Sequence, residues 1–447
     1  MARTFDGVRP PDPLVLDPVT GIVTFLAEGE RYRSDPDIFV VAARSANLAQ
    51  LHHLGINPPA EHHVTGSGAG LAYNDALGAA VGETVERYSF GIVDEEALCL
   101  ATFQELCLKG ELAIAPDRWA LFHPSQKHSL PYTFFKNDTK IAWIKAQHLI
   151  HKRDYYVPAC IVYSPYFGLM LDQGEQIIAP AISTGAACAF TRKEAMLKGL
   201  CEVVERDAFI TLWRNRLPLP RVVIDEQSAL YELYQEKFVR DGLEYAVFHS
   251  TLDLGIPSFF GVLINHRQSP PGNMDGGASH PDPNRAELKT LLELTQGFQW
   301  MNHVRQSDFV AKPDFSNVRS FDDRMHMYAF GDYRHHFDFL LDHGQRVPLS
   351  AITNIDQGGV ATNFDMCCRM LAKNDINVLA IDLTPCDVAE CGLAVVKVIL
   401  PECSPMEGDH TVPFLGGERW NQVPVKVGLL DTARSLDEVN PAPHPYP

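Results

Sequence analysis

The 447-residue sequence predicts a mixed α+β fold, and three observations lead there. Apolar residues make up 46% of the chain and charged residues 21%, the balance of a globular protein with enough apolar mass for a large core. Short runs of β-type residues are interspersed with long segments of helical periodicity. These do not alternate at βαβ length, so a doubly wound parallel sheet is not expected.

The elements follow in order. Arg9-Pro10-Pro11-Asp12-Pro13 reads as an extended segment, because each proline fixes its own φ and restricts its predecessor. Gly21–Leu26 and Asp37–Ala42 read as short strands. Residues 1–63 are therefore an N-terminal segment packing on or leading into the core. Thr65–Gly70, with Gly66, Gly68 and Gly70, reads as a glycine-rich bend. From Asn74 to Tyr88 the apolar residues Leu77, Val81, Val85 and Tyr88 recur at helical spacing. Ala142–Ala146 and Tyr156–Tyr163 read as strands. A second long helix is expected over Arg192–Asn215, with Met196, Leu200, Val203, Val204, Phe209 and Trp213 as its apolar set. Ser258–Ile264 reads as a strand, and residues 268–285, with Pro270, Pro271, Pro281 and Pro283, as an exposed loop. A third helix is expected from Ala286 to about His303, and residues 393–401 read as a strand. Residues 436–447 form a proline-rich tail, and 64–435 the main domain.

Composition excludes several function classes. Lys and Arg total 38 against 56 Asp and Glu, a net charge of −18, which argues against a sequence-independent grip on nucleic acid or an anionic membrane. No apolar run approaches the roughly 18–20 residues that span a bilayer. The first thirty residues carry Asp6, Asp12, Asp17, Glu28 and Glu30 and do not read as a secretory signal. The 10 cysteines show no C-x-x-C spacing, so reduced thiols in a cytoplasmic protein are expected rather than a zinc ribbon.

One internal echo carries chemistry. Glu83-Thr84-Val85-Glu86-Arg87 and Glu202-Val203-Val204-Glu205-Arg206 share the pattern E-x-x-E-R, each on a predicted helix. Residues i and i+3 share a helix face, so each pair sets two carboxylates side by side, a small cost unless a cation sits over them. Magnesium takes carboxylate and phosphate oxygens together, and an arginine fork suits phosphate. The same pattern also suits a solvated, salt-bridged helix face, and spacing alone leaves both readings open. Lys289, Glu293 and Gln296 add a one-sided polar row on the third helix. His52-His53 and Glu61-His62-His63 read poorly as a metal site, because adjacent side chains diverge. Cys201 reads as a buried small hydrophobe.

Taken together, these segments resemble the signatures of the YcaO family. Gly66-Ser67-Gly68, followed by Ala76 through Arg87, resembles the first, and Ser183 through Arg206-Asp207 the second. Glu293-Leu294-Thr295-Gln296 resembles the third, and Val396–Pro401 with Phe414–Gly417 the closing segment. The resemblance implies a YcaO-type ATP-binding fold, with antiparallel or mixed sheets flanked by helices. It implies metal ligation by Glu83, Glu86, Glu202 and Glu205, and nucleotide binding by Ser67, Arg87, Ser183, Arg206, Glu293 and Gln296. Two positions depart from the family pattern: Ala79 stands where a serine is frequent, and Ser67 where many members carry lysine.

The tail Pro441-Ala442-Pro443-His444-Pro445-Tyr446-Pro447 holds P-x-P-x-P, which resembles the azoline-forming cyclodehydratases, the SagD-like D proteins of thiazole/oxazole-modified microcin biosynthesis. In them the tail inserts near the nucleotide, which implies a catalytic part for Pro443, Pro445 and Pro447. The implied reaction is attack by a Cys, Ser or Thr side chain of a precursor peptide on the preceding amide, followed by ATP-dependent phosphorylation of the resulting hemiorthoamide oxygen and loss of phosphate. The cofactors implied are ATP and Mg2+. Because the signatures begin near residue 64, a separate leader-binding partner of the ubiquitin-activating, ThiF-like type is expected, with a flavin-dependent azoline dehydrogenase and a homodimer as further partners. The alternatives are a YcaO enzyme forming thioamide or macroamidine, and a non-catalytic ATP-binding docking subunit.

Overall fold

The computed structural model describes residues 15–52, 54–55, 58–267 and 269–446. Fourteen strands form three sheets among the described residues. In chain order they are β1 (Val23–Glu28), β2 (Phe39–Ser45), β3 (Thr65–Gly70), β4 (Cys99–Ala101), β5 (Ile141–His148), β6 (Arg153–Pro158) and β7 (Ala186–Ala189). They continue with β8 (Arg221–Val223), β9 (Leu243–His249), β10 (Ser258–Asn265), β11 (Asn273–Ser279), β12 (Arg346–Pro348), β13 (Leu379–Asp382) and β14 (Ala394–Ile399). The first sheet has the order β1-β2-β3, the second β4-β5-β13-β14-β7 with β6 also on β5, and the third β11-β10-β9-β8-β12. Every named pair is antiparallel except β8 with β12, which is parallel. The fold is thus mixed α+β with antiparallel and mixed sheets.

Three long helices cross these sheets, at Tyr73–Phe90, Arg192–Asn215 and Pro283–Val304. The second begins where the Thr191 hydroxyl accepts the Glu194 N–H at 3.2 Å, and ends as Arg216 turns left-handed at φ 48°. The third begins at Asp282, whose carboxylate accepts the Asn284 N–H at 3.0 Å, with Pro283 in the first turn. The second helix joins two cores. Ala195, Leu200 and Val204 pack on the second sheet with Val396 and Val398, and Phe209, Leu212 and Trp213 pack on the third sheet with Phe248 and Phe260.

Three expectations are corrected. Thr65–Gly70 is not a bend but a strand, because alternate glycines let the first helix lie directly upon it. Within 268–285 the expected exposed loop contains β11, every residue of which is buried. Its Gly276 and Gly277 admit neighbours at close range, and the four prolines lie outside the strand. The run at 156–163 stops as a strand at Pro158, and Ala159–Val162 forms a helical turn. All ten cysteines are free thiols. Among the described residues no helix is long and apolar enough to cross a membrane.

Candidate nucleotide and metal site

Three strand–helix units, far apart in sequence, converge on one cleft. In the first, a Cβ at Gly68 would stand 2.5 Å from the Ala76 carbonyl oxygen and the Ala80 nitrogen, so only glycine permits the observed approach. That approach brings Glu83 against the strand, where its carboxylate accepts the Ser67 N–H at 2.6 Å and pairs with Arg87 at 2.6 Å. Arg87 donates in turn to the Thr65 carbonyl at 2.6 Å. The Ser67 side chain points the other way, and its hydroxyl accepts from Gln296 of the third helix at 2.7 Å.

The second unit repeats the device. Gly185 has φ +92°, and a Cβ on it would collide with the Val398 carbonyl. Its N–H donates to the Glu202 carboxylate at 2.9 Å. In the third unit Glu293 accepts a hydrogen bond from the Gly277 backbone and pairs with Lys289 at 3.5 Å. Each helix therefore delivers one glutamate that is fixed by an N–H of a glycine-rich backbone.

The electrostatics are dominated by crowded carboxylates. Burial, with Glu202 and Glu83 as neighbours, holds the Glu86 carboxyl well above the usual carboxylate range, against the pull of Arg87 and Lys397. Burial pushes Glu205 up to about 7, opposed by Arg206 and Lys289. Like charges so confined call for a cation. Among the described residues no three acidic, imidazole or thiol groups by themselves form a cluster able to hold a metal ion. Carboxylate oxygens crowded from neighbouring helices suit a hard cation such as magnesium, which shares its shell with phosphate oxygens and water.

The tail closes one wall. Ala442–Tyr446 is buried: the Ala442 carbonyl accepts from the Trp213 indole at 3.0 Å, and the Pro443 carbonyl from the Tyr328 hydroxyl at 2.7 Å. Tyr446 donates its hydroxyl to Glu205 at 2.6 Å, and the Arg206 guanidinium lies 4.1 Å from the centre of its ring. Pro443 and Pro445 set the extended path, and the contacts with the acidic pair come from Tyr446. Pro447 lies outside the described residues.

Of the residues singled out from sequence, Ser67, Glu83, Arg87 and Gln296 share one hydrogen-bonded chain, and Arg206 forms ion pairs with Glu202 at 3.8 Å and Glu205 at 3.5 Å. Ser183 is exposed on the turn before Gly185. His52 is buried and its imidazole meets the Tyr88 carbonyl at 2.8 Å, while His53 lies outside the described residues. Cys201 is buried, and burial pushes its thiol up. Sequence reasoning placed Lys289 in the polar row of the third helix and missed Lys397 and Tyr446 as members of the cleft. Lys397 carried a signal, a lone charge in the apolar strand Ala394–Ile399.

Comparison with known proteins gives the family and the fold. A family model described as "YcaO cyclodehydratase, ATP- and Mg2+-binding" matches residues 67–404. A solved heterocyclase in complex with substrate and cofactor is similar at a TM-score of 0.78 and 26% identity, covering 98% of this chain and 58% of that one. The YcaO protein of Methanopyrus kandleri, bound with AMPPCP and Mg2+, shares the fold at a TM-score of 0.60 and 19% identity, covering 86% of each chain. An uncharacterized protein of the tfuA 3' region of Rhizobium leguminosarum bv. trifolii is 28% identical over 245 residues, 51% of this chain and 53% of its own. This chain thus spans little more than half the length of the heterocyclase and of the Rhizobium protein.

Proposed function

The chain belongs to the YcaO family, and on that premise we propose that it is an ATP- and magnesium-dependent cyclodehydratase. It converts Cys, Ser or Thr residues of a ribosomal precursor peptide to thiazoline or oxazoline. The observation that carries the azoline reading is the seat of the tail: Tyr446, inside P-x-P-x-P, rests on both Glu205 and Arg206.

In this reading Glu83, Glu86, Glu202 and Glu205 hold magnesium, while Ser67, Arg87, Ser183, Arg206, Glu293 and Gln296 receive the nucleotide. Bound Mg-ATP supplies a phosphoryl group, so that the amide oxygen leaves as phosphate rather than as oxide. The chain's own contribution is positioning and charge balance. Arg206 is clamped over the Tyr446 ring, which fixes the plane of its fork for phosphate oxygens. Lys289, 3.5 Å from Glu293, limits the negative charge that incoming phosphates meet. The buried tail excludes water from the side where Glu205 lies. The precursor peptide is delivered by a separate leader-binding, ThiF-like partner in the cytoplasm, and a flavin-dependent dehydrogenase acts on the azolines afterwards.

The test is reconstitution of the chain with the leader-binding partner and a Cys-rich precursor peptide, read by mass spectrometry. Loss of one water per ring, dependent on both ATP and magnesium, is the expected result. Gain of sulfur in place of oxygen would assign the chain to thioamide formation, and an unmodified peptide with ATP bound would assign it to docking.

A further inference from the structure

Lys397 lies in the middle of β14, whose other residues Ala394, Val395, Val396, Val398 and Ile399 are all apolar and buried. It is itself only 1% exposed. A buried ammonium is costly unless paired, and a hydrophobe of similar volume is often as stable there or more so. Its presence in such a strand therefore asks for a reason beyond packing.

The surroundings supply one. Val395, Lys397 and Ile399 share a face of β14, and on that face the Lys397 ammonium donates to the Ile182 carbonyl. The charged and titratable groups around it are Glu202 of the second helix, Glu86 of the first, and Cys160. The segment Ile182–Gly185 is gripped at three points. Lys397 holds its first carbonyl, Glu202 accepts the Gly185 N–H at 2.9 Å, and the Val398 N–H donates to the Gly185 carbonyl at 2.7 Å. Two of those grips come from neighbouring residues of one strand. Ser183 sits exposed on the crown of the arch so formed.

We propose that Lys397 is a positioning residue of the cleft: an internal cation that balances Glu86 against Glu202 and braces the Ile182–Gly185 arch before magnesium arrives. This rests on the metal reading given above. It assigns two separable jobs to one side chain, charge balance by the ammonium and bracing by its N–H donor.

Two variants divide the jobs. Lys397→Gln keeps a donor without the charge, and Lys397→Met loses both while suiting the apolar strand. Melting temperature is followed against MgCl2 alone, and again with a non-hydrolysable ATP analogue, on the full chain. Removing a unit positive charge this close to the carboxylates should lower the half-saturating Mg2+ concentration at least about tenfold in both variants. The KM for ATP should rise more in Lys397→Met than in Lys397→Gln, because only the former releases the arch. A variant that folds only with MgCl2 present would support the proposal equally. Half-saturation within about twofold of the parent in both variants would overturn it, as would variants that no concentration of MgCl2 restores. A parent chain indifferent to MgCl2 with and without the analogue would instead refute the metal reading itself, and this proposal with it.

Discussion

The Tyr446 hydroxyl is the sharpest place to perturb the cleft, because one oxygen atom connects the tail to the acidic pair. It donates to Glu205 at 2.6 Å with both groups buried, and the ring stays in contact with Phe209, 4.6 Å between centres, if only the hydroxyl is removed. Tyr446→Phe therefore isolates the hydrogen bond. A hydrogen bond to a charged acceptor contributes about 1.5–3 kcal/mol, and one to a neutral acceptor about 1 kcal/mol. Burial sets Glu205 at about 7, so the bond has a charged acceptor above that pH and a neutral one below it. The hydroxyl holds the carboxyl down, so its loss hurts most where Glu205 is ionised. Expected destabilisation is about 1.5–3 kcal/mol near pH 8 and falls to about 1 kcal/mol near pH 5.5. Tyr446→Ala, which also strips the ring from Phe209 and Arg206, should cost a further 3–5 kcal/mol or so. Equilibrium urea unfolding followed by far-UV circular dichroism gives these differences, and a double-mutant cycle with Glu205→Gln assigns them to the pair. If Tyr446→Phe matches the parent at both pH values and the cycle returns no coupling, the tail is not seated on Glu205 and the argument for azoline chemistry loses its footing.

Three further outcomes are expected. Glu202→Gln keeps the helix but removes a charge beside the Gly185 N–H, and should reduce ATP consumption at least about tenfold, about 1.4 kcal/mol on the barrier, with little change in melting temperature; normal turnover would return E-x-x-E-R to a mere surface pattern. Gly68→Ala puts a methyl 2.5 Å from the Ala76 carbonyl oxygen, and should cost about 1–3 kcal/mol or more in urea unfolding while raising the KM for ATP. Glu287 is pushed from 4.5 up to about 8 by burial, so the folded chain keeps a proton that the unfolded chain releases, and stability falls as pH rises across that window. Glu287→Gln should flatten that fall by at least about 1 kcal/mol, measured as unfolding free energy against pH.

What could be read from sequence divides along physical lines. The second helix was expected over Arg192–Asn215 and has those bounds, because twenty-four residues of periodic apolar spacing leave one solution. β3 and β11 escaped because glycine writes no side-chain pattern. Gly66, Gly68, Gly276 and Gly277 permit close approach in the fold, but in sequence they are indistinguishable from turn residues without the helices that lie on them. The E-x-x-E-R pairs were visible since i and i+3 spacing is local. Their meeting was not, because it depends on the sheets between them. Lys397 stands out as a lone charge among apolar neighbours, and Tyr446 is masked by its prolines; a charge in one setting and a buried hydroxyl in the other each needs a partner, but sequence does not say which.

The cleft is tied together across long stretches of chain: Gln296 reaches Ser67 over 229 residues, and Tyr446 reaches Glu205 over 241. Closing such distances is entropically slow, so these contacts belong to the end of folding rather than its beginning. A chain cut short after the second helix ends at Asn215 and before Tyr446 keeps both acidic helices and still lacks the contact that seats the tail on Glu205. On the proposed function, nucleotide affinity is therefore a measure of completeness, and competence to spend ATP comes only to copies that have finished folding.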